Sequence, residues 1–322
     1  MKIFYKKEIQ KALNIPAVLE RIEEGFVIYS KKEAIIPPVA ALHFDHPPGD
    51  CHIKYGYAKE GKYYVIKIAS GFYDNPSLGL SANNGLMILF DKLTGAPVCL
   101  LLDEGYLTDI RTAAAGCIAA KFLAPKRINC IGIVGTGAQA HFQLKFLQFA
   151  TKCRKVLVWG REEKKAKQFC EHPDLKEFHI EIAKDLNQLT ANCNLIVTAT
   201  NSTNPLLFAD QIHPGTHITA MGADDRGKQE LDPHIFAKAD RIAVDSRSQC
   251  SLFGDVSYAL KQGLLEEYRI HELGEVILDA SLQRRSEDEI TVADLTGVAI
   301  QDLQIALTTY ERLSQSFEED DF

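Results

Sequence analysis

The sequence predicts an α/β protein: a doubly wound parallel sheet joined to a second, α+β domain. Three observations carry this. The passage "INCIGIVGTGAQAHFQLKFL" (128–147) runs from a short apolar strand (Ile131, Ile133, Val134) through Gly135-Thr136-Gly137 into an apolar-periodic helix from Ala138. Strand-like and helix-prone segments then alternate to about residue 246, the pattern of a parallel sheet. The first 120 or so residues read differently, as strands joined by tight turns.

The glycine passage has the physics of a dinucleotide loop. Gly135 permits the tight turn, Gly137 lets backbone approach a pyrophosphate, and Ala140 replaces a third glycine where helix and strand pack closely. The helix start offers free N–H groups and partial positive charge to phosphates, which makes Gly135, Thr136, Gly137, Ala138, Gln139 and Ala140 the candidate cradle. A glycine turn with no ligand is the alternative. The expected strands are 128–135, 155–160, 193–200, 216–222 and 241–246, with a helix-prone stretch at 161–172. Ligands in such sheets bind beyond the carboxyl ends of strands, so Gly135, Gly160, Thr200, Gly222 (with its neighbour Met221) and Ser246 are candidate positions. An acid at the end of the second strand would favour NAD. Here Gly160 takes that place, followed by Arg161. A glycine there removes repulsion toward a 2′-phosphate and Arg161 can pair with it, so NAD(P) with a leaning to NADP(H) is expected. The other reading leaves Arg161 solvated and gives Glu162 to the ribose of NAD.

In the first domain, "YYVIKIASGF" (63–72) and "NGLMILFDKLTGAPVCLLLDEG" (84–105) read as strands, with Asp-Lys-Leu-Thr-Gly as a hairpin loop. A helix follows over "TDIRTAAAGCIAAKFLAP", with Thr108 or Asp109 as its N-cap and Pro125 ending it. The tail "TGVAIQDLQIALTTYERL" is apolar at helical spacing and is expected to return to the first domain, and the acidic tip "FEEDDF" is expected to be disordered. The expected domains are 1–120 plus 300–322, and 121–299.

Composition excludes several classes. A net charge of −7 with no basic stripe argues against nucleic acid. No apolar run approaches the ~18 residues of a membrane helix, and the N-terminus lacks the apolar core of a signal peptide. The eight cysteines show no CxxC spacing, as expected of reduced thiols in a cytoplasmic protein. The ten histidines show no HxxxH or clustered carboxylate, so no metal site is expected.

Five segments together resemble the ornithine cyclodeaminase/mu-crystallin family: "KIASGF" with Lys67, "LTDIRTAAAG" with Arg111 and Thr112, "GIVGTGAQA", "TAMGADDRGKQELDP" and "ITVADLTGVAIQD". The resemblance runs from about residue 35 to the C-terminus. It implies a Rossmann-type NAD(P) domain, a substrate and dimerisation domain, a homodimer, and a small amino-acid or imine substrate. It also implies roles. Arg111 would hold the substrate α-carboxylate, although its place in a helix leaves a surface arginine as the alternative. Thr112 would touch a cofactor phosphate. Lys67, otherwise a solvated lysine on a strand, would face the carboxylate or imine and polarise the C=N bond. Asp224 would be the acid/base on the α-amine, supported by Lys228, with neighbouring Asp225 hard to distinguish from it and a plain loop role open to both. Asp294 is as fit for N-capping as for catalysis, and Thr296 and Gly297 would face the nicotinamide.

Two positions depart from the cyclodeaminase pattern. Val39 stands where a second carboxylate-binding arginine is usual, and Lys54 where a glutamate faces the far amine of ornithine. The reading is therefore an enzyme acting at the Cα–N bond of a small amino acid. Ornithine cyclodeamination comes first, with a ketimine or pyrroline-2-carboxylate reductase or an alanine dehydrogenase as the alternative, and a non-catalytic crystallin-like binder third. If Lys54 faces the pocket, ornithine is a poor substrate.

Overall fold

The computed structural model describes residues 1–72 and 74–320, with side chains to residue 315. In chain order the elements begin with β1 (Lys2–Tyr5), α1 (Lys6–Ala12), α2 (Ile15–Ser30), β2 (Ala34–Ile35), β3 (Ala40–Asp45), β4 (Pro48–Ala58) and β5 (Tyr63–Phe72). They continue with β6 (Asn83–Asp91), β7 (Pro97–Leu102), α3 (Tyr106–Leu123), β8 (Ile131–Val134), α4 (Ala138–Leu147), β9 (Lys155–Trp159), α5 (Glu163–Cys170), β10 (His179–Ile182) and α6 (Leu186–Asn192). Then come β11 (Leu195–Thr198), β12 (Thr203–Leu207), β13 (His217–Ala220), β14 (Gln229–Leu231), α7 (Pro233–Lys238), β15 (Arg241–Val244), α8 (Arg247–Phe253) and α9 (Val256–Lys261). The last are β16 (Ile270–Glu272), α10 (Leu273–Leu278), β17 (Thr291–Asp294) and α11 (Ala299–Asp320). The chain divides into two compact units, Met1–Arg111 with Val298–Phe322, and Thr112–Gly297, so the division falls inside α3.

The first unit is a seven-stranded sheet in the order β1-β7-β6-β5-β4-β2, with β3 also on β4; all pairings are antiparallel except β1 on β7. Its strands alternate: Val65 and Lys67 on β5, and Met87 and Leu89 on β6, point to the buried side. Helix α11 packs on this sheet, and α2 packs against α11. Asn14 caps α2 by accepting from the Ala17 N–H at 3.0 Å, and Val18, Ile22 and Phe26 are its buried face. Gly25 lets α2 approach α11, since a Cβ there would stand 2.8 Å from Gln304 Cγ. The expected hairpin loop forms, with Asp91 Oδ1 accepting from Leu93 and Thr94 N–H and Gly95 in the left-handed region (φ 70°).

The start of α3 corrects the sequence reading. The helix begins at Tyr106, and neither Thr108 nor Asp109 caps it. Asp103 does this work, its Oδ2 accepting from the Leu107 N–H at 2.7 Å after a turn through Glu104 and Gly105, both at positive φ. Helix α11 also continues through Phe317 to Asp320, so the tip expected to be disordered is helical that far; Asp321 and Phe322 lie outside the described residues.

The second unit carries an all-parallel, eight-stranded sheet in the order β10-β9-β8-β11-β13-β17-β15-β16. This is a Rossmann-type doubly wound arrangement. The strand order reverses between β8 and β11, the crevice where such sheets take ligands. The expected strands are all present but shorter, because their ends leave the ladder as loops. β17, which ends at Asp294, inserts between β13 and β15. No helix among the described residues is long and apolar enough to cross a membrane.

Gly135 and Gly137 are glycines for different reasons. Gly135 has φ 122°, and a Cβ on it would lie 2.5 Å from the Ala199 carbonyl oxygen. At Gly137 a Cβ would meet nothing within 4 Å. Gly135→Ala is therefore expected to cost at least about 1–3 kcal/mol, read from urea unfolding midpoints. Gly137→Ala should stay within about 0.5 kcal/mol of the parent.

Candidate active site

Lys67 sits in the middle of β5, opposite Lys54 on β4 and Met87 on β6. It is no surface lysine: Lys67 is 2% exposed, Arg111 5% and Lys54 7%. Sequence reasoning did not single out the group that gathers two of them. Asp302 on α11 is 0% exposed, with its Oδ1 3.3 Å from Lys67 Nζ and 3.1 Å from Arg111 Nε. Arg111 Nη1 also donates to Gln301 Oε1 at 2.8 Å. The missed signal was an ionisable residue in the apolar stretch "VAIQDLQIAL", since a buried charge requires partners.

Burial pulls the Lys67 amine down to about 7; Asp302 opposes this, while Arg111 and Lys54 add to it. Nearby Asp103 is pushed up to about 6 by its own burial. Lys67 and Arg111 share a buried region with Asp302, and Lys54 stands opposite Lys67 on the neighbouring strand. A guanidinium and an ammonium side by side suit a carboxylate. Val39, half-buried before β3, contributes no charge.

In the second unit, β8, Gly135 and α4 form the expected strand–turn–helix. Gly135 N–H donates to the Trp159 carbonyl at 2.8 Å, and Ala140 is fully buried. Gly137 and Ala138 are exposed and Gln139 half-buried, leaving the first turn of α4 open. No protein atom demands a glycine at 137, whereas close approach of a phosphate would. The residues present therefore fit a dinucleotide pyrophosphate. Thr112 is tied to this helix, its carbonyl accepting from Gln143 Nε2 at 2.9 Å.

Gly160 has a different physical role from the one its sequence position suggests. A Cβ there would stand 2.5 Å from Thr136 Cγ2, so packing against the Gly135–Gly137 turn already favours a glycine. Arg161 is exposed, and Glu162 is paired with Lys165 at 2.7 Å.

Beyond the ends of β13 and β17 lie the remaining candidates. Asp224 is half-exposed and pairs through Oδ1 with Lys228 Nζ at 2.6 Å, while Asp225 Oδ1 accepts from the Arg226 N–H. Asp294 caps a helix, but not the one that follows it in sequence: its Oδ2 accepts from the Val256 N–H at 2.8 Å, at the start of α9. Burial raises its carboxyl to about 7. Thr296 and Gly297 are buried, and both their N–H groups donate to Asp245. Thr200 and Gly222 lie just past β11 and β13, next to buried Met221. The eight cysteines are free thiols. His141 brings a ligand atom within 4.8 Å of those of His172 and Asp174, which lie some thirty positions further along the chain. Lys145 Nζ already sits 2.7 Å from Asp174 Oδ2, so a cation holds that carboxylate.

A family model described as the ornithine cyclodeaminase/mu-crystallin family matches residues 2–316. An uncharacterized cyclodeaminase of Sinorhizobium fredii is 36% identical over 98% of this chain and 96% of its own length. Among solved structures, an archaeal alanine dehydrogenase dimer with bound NAD is 34% identical at a TM-score of 0.88, covering 98% of this chain and 97% of that one. The Δ1-pyrroline-2-carboxylate reductase of Thermococcus litoralis, in complex with NADH and L-proline, is 28% identical at a TM-score of 0.91, covering 98% of both chains.

The depressed Lys67 amine sets a pH signature. It is charged below about 7 and neutral above, and a bound carboxylate favours the charged form. Affinity for a simple monocarboxylate inhibitor should therefore be full below pH 7 and weaken above it, approaching about tenfold per pH unit, with proton uptake on binding. Competitive inhibition constants measured between pH 6 and 9 check this, and Lys67→Arg should flatten the profile.

Proposed function

We propose that this chain, which belongs to the ornithine cyclodeaminase/mu-crystallin family, is a nicotinamide-dependent oxidoreductase acting on the C=N bond of a small α-imino acid or its amino-acid product. The buried Lys67–Asp302–Arg111 cluster, with Lys54 beside it, is the observation that carries this reading. Arg111 and Lys67 hold the substrate α-carboxylate, and their charge draws electrons from the adjacent C=N bond. The Asp224–Lys228 pair serves the substrate nitrogen, giving a proton as the imine is reduced and taking one in the reverse direction. The cradle Gly135–Ala140, with Thr112, Thr200, Met221 and Gly222, holds the dinucleotide, and Thr296 and Gly297 lie on the nicotinamide side. When bound, the nicotinamide supplies or accepts the hydride at Cα. Reduction thus consumes one imine, one hydride and one proton. A homodimer is the assembly proposed, like that of the archaeal alanine dehydrogenase.

This reading puts net redox chemistry ahead of ornithine cyclodeamination, and Lys54 is the reason. Directly opposite residues of an antiparallel pair share a face, so Lys54 lies on the face of Lys67 and is as buried as the clamp itself. A second substrate ammonium ~4 Å from a buried lysine would meet about 4 kcal/mol of repulsion at an effective dielectric near 20. A substrate with a neutral or anionic far end avoids it.

Absorbance at 340 nm discriminates the two chemistries. Small cyclic or acyclic α-imino acids should consume reduced cofactor steadily, whereas ornithine should release little ammonia. Ornithine deaminated efficiently with no net absorbance change would overturn the proposal in favour of cyclodeamination. In the same assay Asp224→Asn should lose about 10²–10⁴-fold in turnover while still binding dinucleotide.

NADP(H) is the proposed preference and rests on Arg161, which is exposed directly after Gly160. Arg161→Ala should weaken NADPH by about tenfold, the loss of one charged hydrogen bond, and leave NADH nearly unchanged. Tighter binding of NADH by the parent, insensitive to this substitution, would reverse the assignment.

A further inference from the structure

Glu230, on β14, is a fully buried carboxylate outside the main sheet. Its Oε1 accepts from the Thr200 N–H at 2.6 Å and from Thr200 Oγ1 at 2.7 Å. Its Oε2 accepts from Thr198 Oγ1 at 2.7 Å and from the Gly222 N–H at 2.8 Å. One side chain therefore fastens the loops after β11 and β13 to each other. Contact there is close, since a Cβ on Gly222 would lie 2.1 Å from the Thr200 carbonyl oxygen and 2.5 Å from Glu230 Cδ. Glu230 is itself held, its N–H donating to Asp255 Oδ1 at 2.8 Å, and that oxygen also accepts from the Leu231 N–H at 3.0 Å.

A buried carboxylate is expensive, and a carboxylate is the side chain that can accept from four donors at once. An apolar residue would fill the same space at lower cost but would leave the Thr200 and Gly222 N–H groups without an acceptor. Those two positions lie past the carboxyl ends of neighbouring parallel strands, where this fold takes its ligand.

We propose that Glu230 is a positioning residue for the dinucleotide, fixing the Thr200 and Gly222 loops in the shape that receives it. This rests on the dinucleotide reading above. Glu230→Gln turns an amide NH₂ toward two of the four donors, so one or two charge-assisted bonds are lost. NADH fluorescence titration of the full chain should show Kd raised on the order of tenfold or more. In steady state the loss should fall on KM for the dinucleotide, with KM for the imino acid at saturating cofactor and kcat changing less. Thr198→Val removes one donor from within β11 and should give a smaller rise in Kd with the same split. It carries the test if Glu230→Gln does not fold. A folded Glu230→Gln protein with unchanged Kd for NADH, or a loss shared equally by kcat and both KM values, would overturn the positioning role. Failure of the unmodified protein to bind either reduced dinucleotide would instead remove the reading on which it rests.

Discussion

A carboxylate with no access to water sets the terms for the first unit. Asp302 is enclosed by α11 and the sheet it covers, and it is tolerable only because an ammonium and a guanidinium stand against it. The attraction runs both ways. Lys67 could not be charged in the middle of a buried strand face without Asp302, and Arg111 could not point inward from an alanine-rich helix. Lys54 stands directly opposite Lys67 on the same buried face. On the function proposed above, structural pairing and anion binding are two uses of one arrangement.

The second unit solves a related problem with more acids and fewer bases. Asp245 closes the Thr296–Gly297 turn, Asp294 starts α9, Asp255 anchors β14, and Glu230 joins two strand-end loops. In each case a buried carboxylate accepts from backbone N–H groups, joined at Glu230 and Asp245 by threonine hydroxyls. Loops at the carboxyl ends of short parallel strands have many unpaired N–H groups, and a carboxylate side chain organises several of them at once.

Much of this was legible in the sequence where the physics is local. Strand, glycine turn and helix at 131–147 follow from apolar patterning and one obligatory positive φ, and the family resemblance is carried by short contiguous segments. What the sequence obscured depends on contacts across long separations. Asp302 lies 235 positions from Lys67 and gains meaning only when α11 meets β5. Thr108 and Asp109 had the chemistry of an N-cap, but Asp103 was better placed once Glu104 and Gly105 turned the chain. Asp294 was rightly suspected of capping, for a helix its sequence position could not reveal. Gly160 was read for what it lacks toward a ligand, whereas its tightest neighbour is Thr136.

That last contact limits how cofactor choice can evolve here. In a doubly wound fold, the simplest route to NAD selectivity places an acid at the end of the second strand. At position 160 a Cβ would stand 2.5 Å from Thr136 Cγ2, so a side chain there displaces that threonine. On the function proposed above, a substitution there bears on the phosphate cradle and the ribose site together. Selectivity on that reading can change through the exposed residues at 161 and 162, whereas a side chain at 160 also requires Thr136 to turn aside.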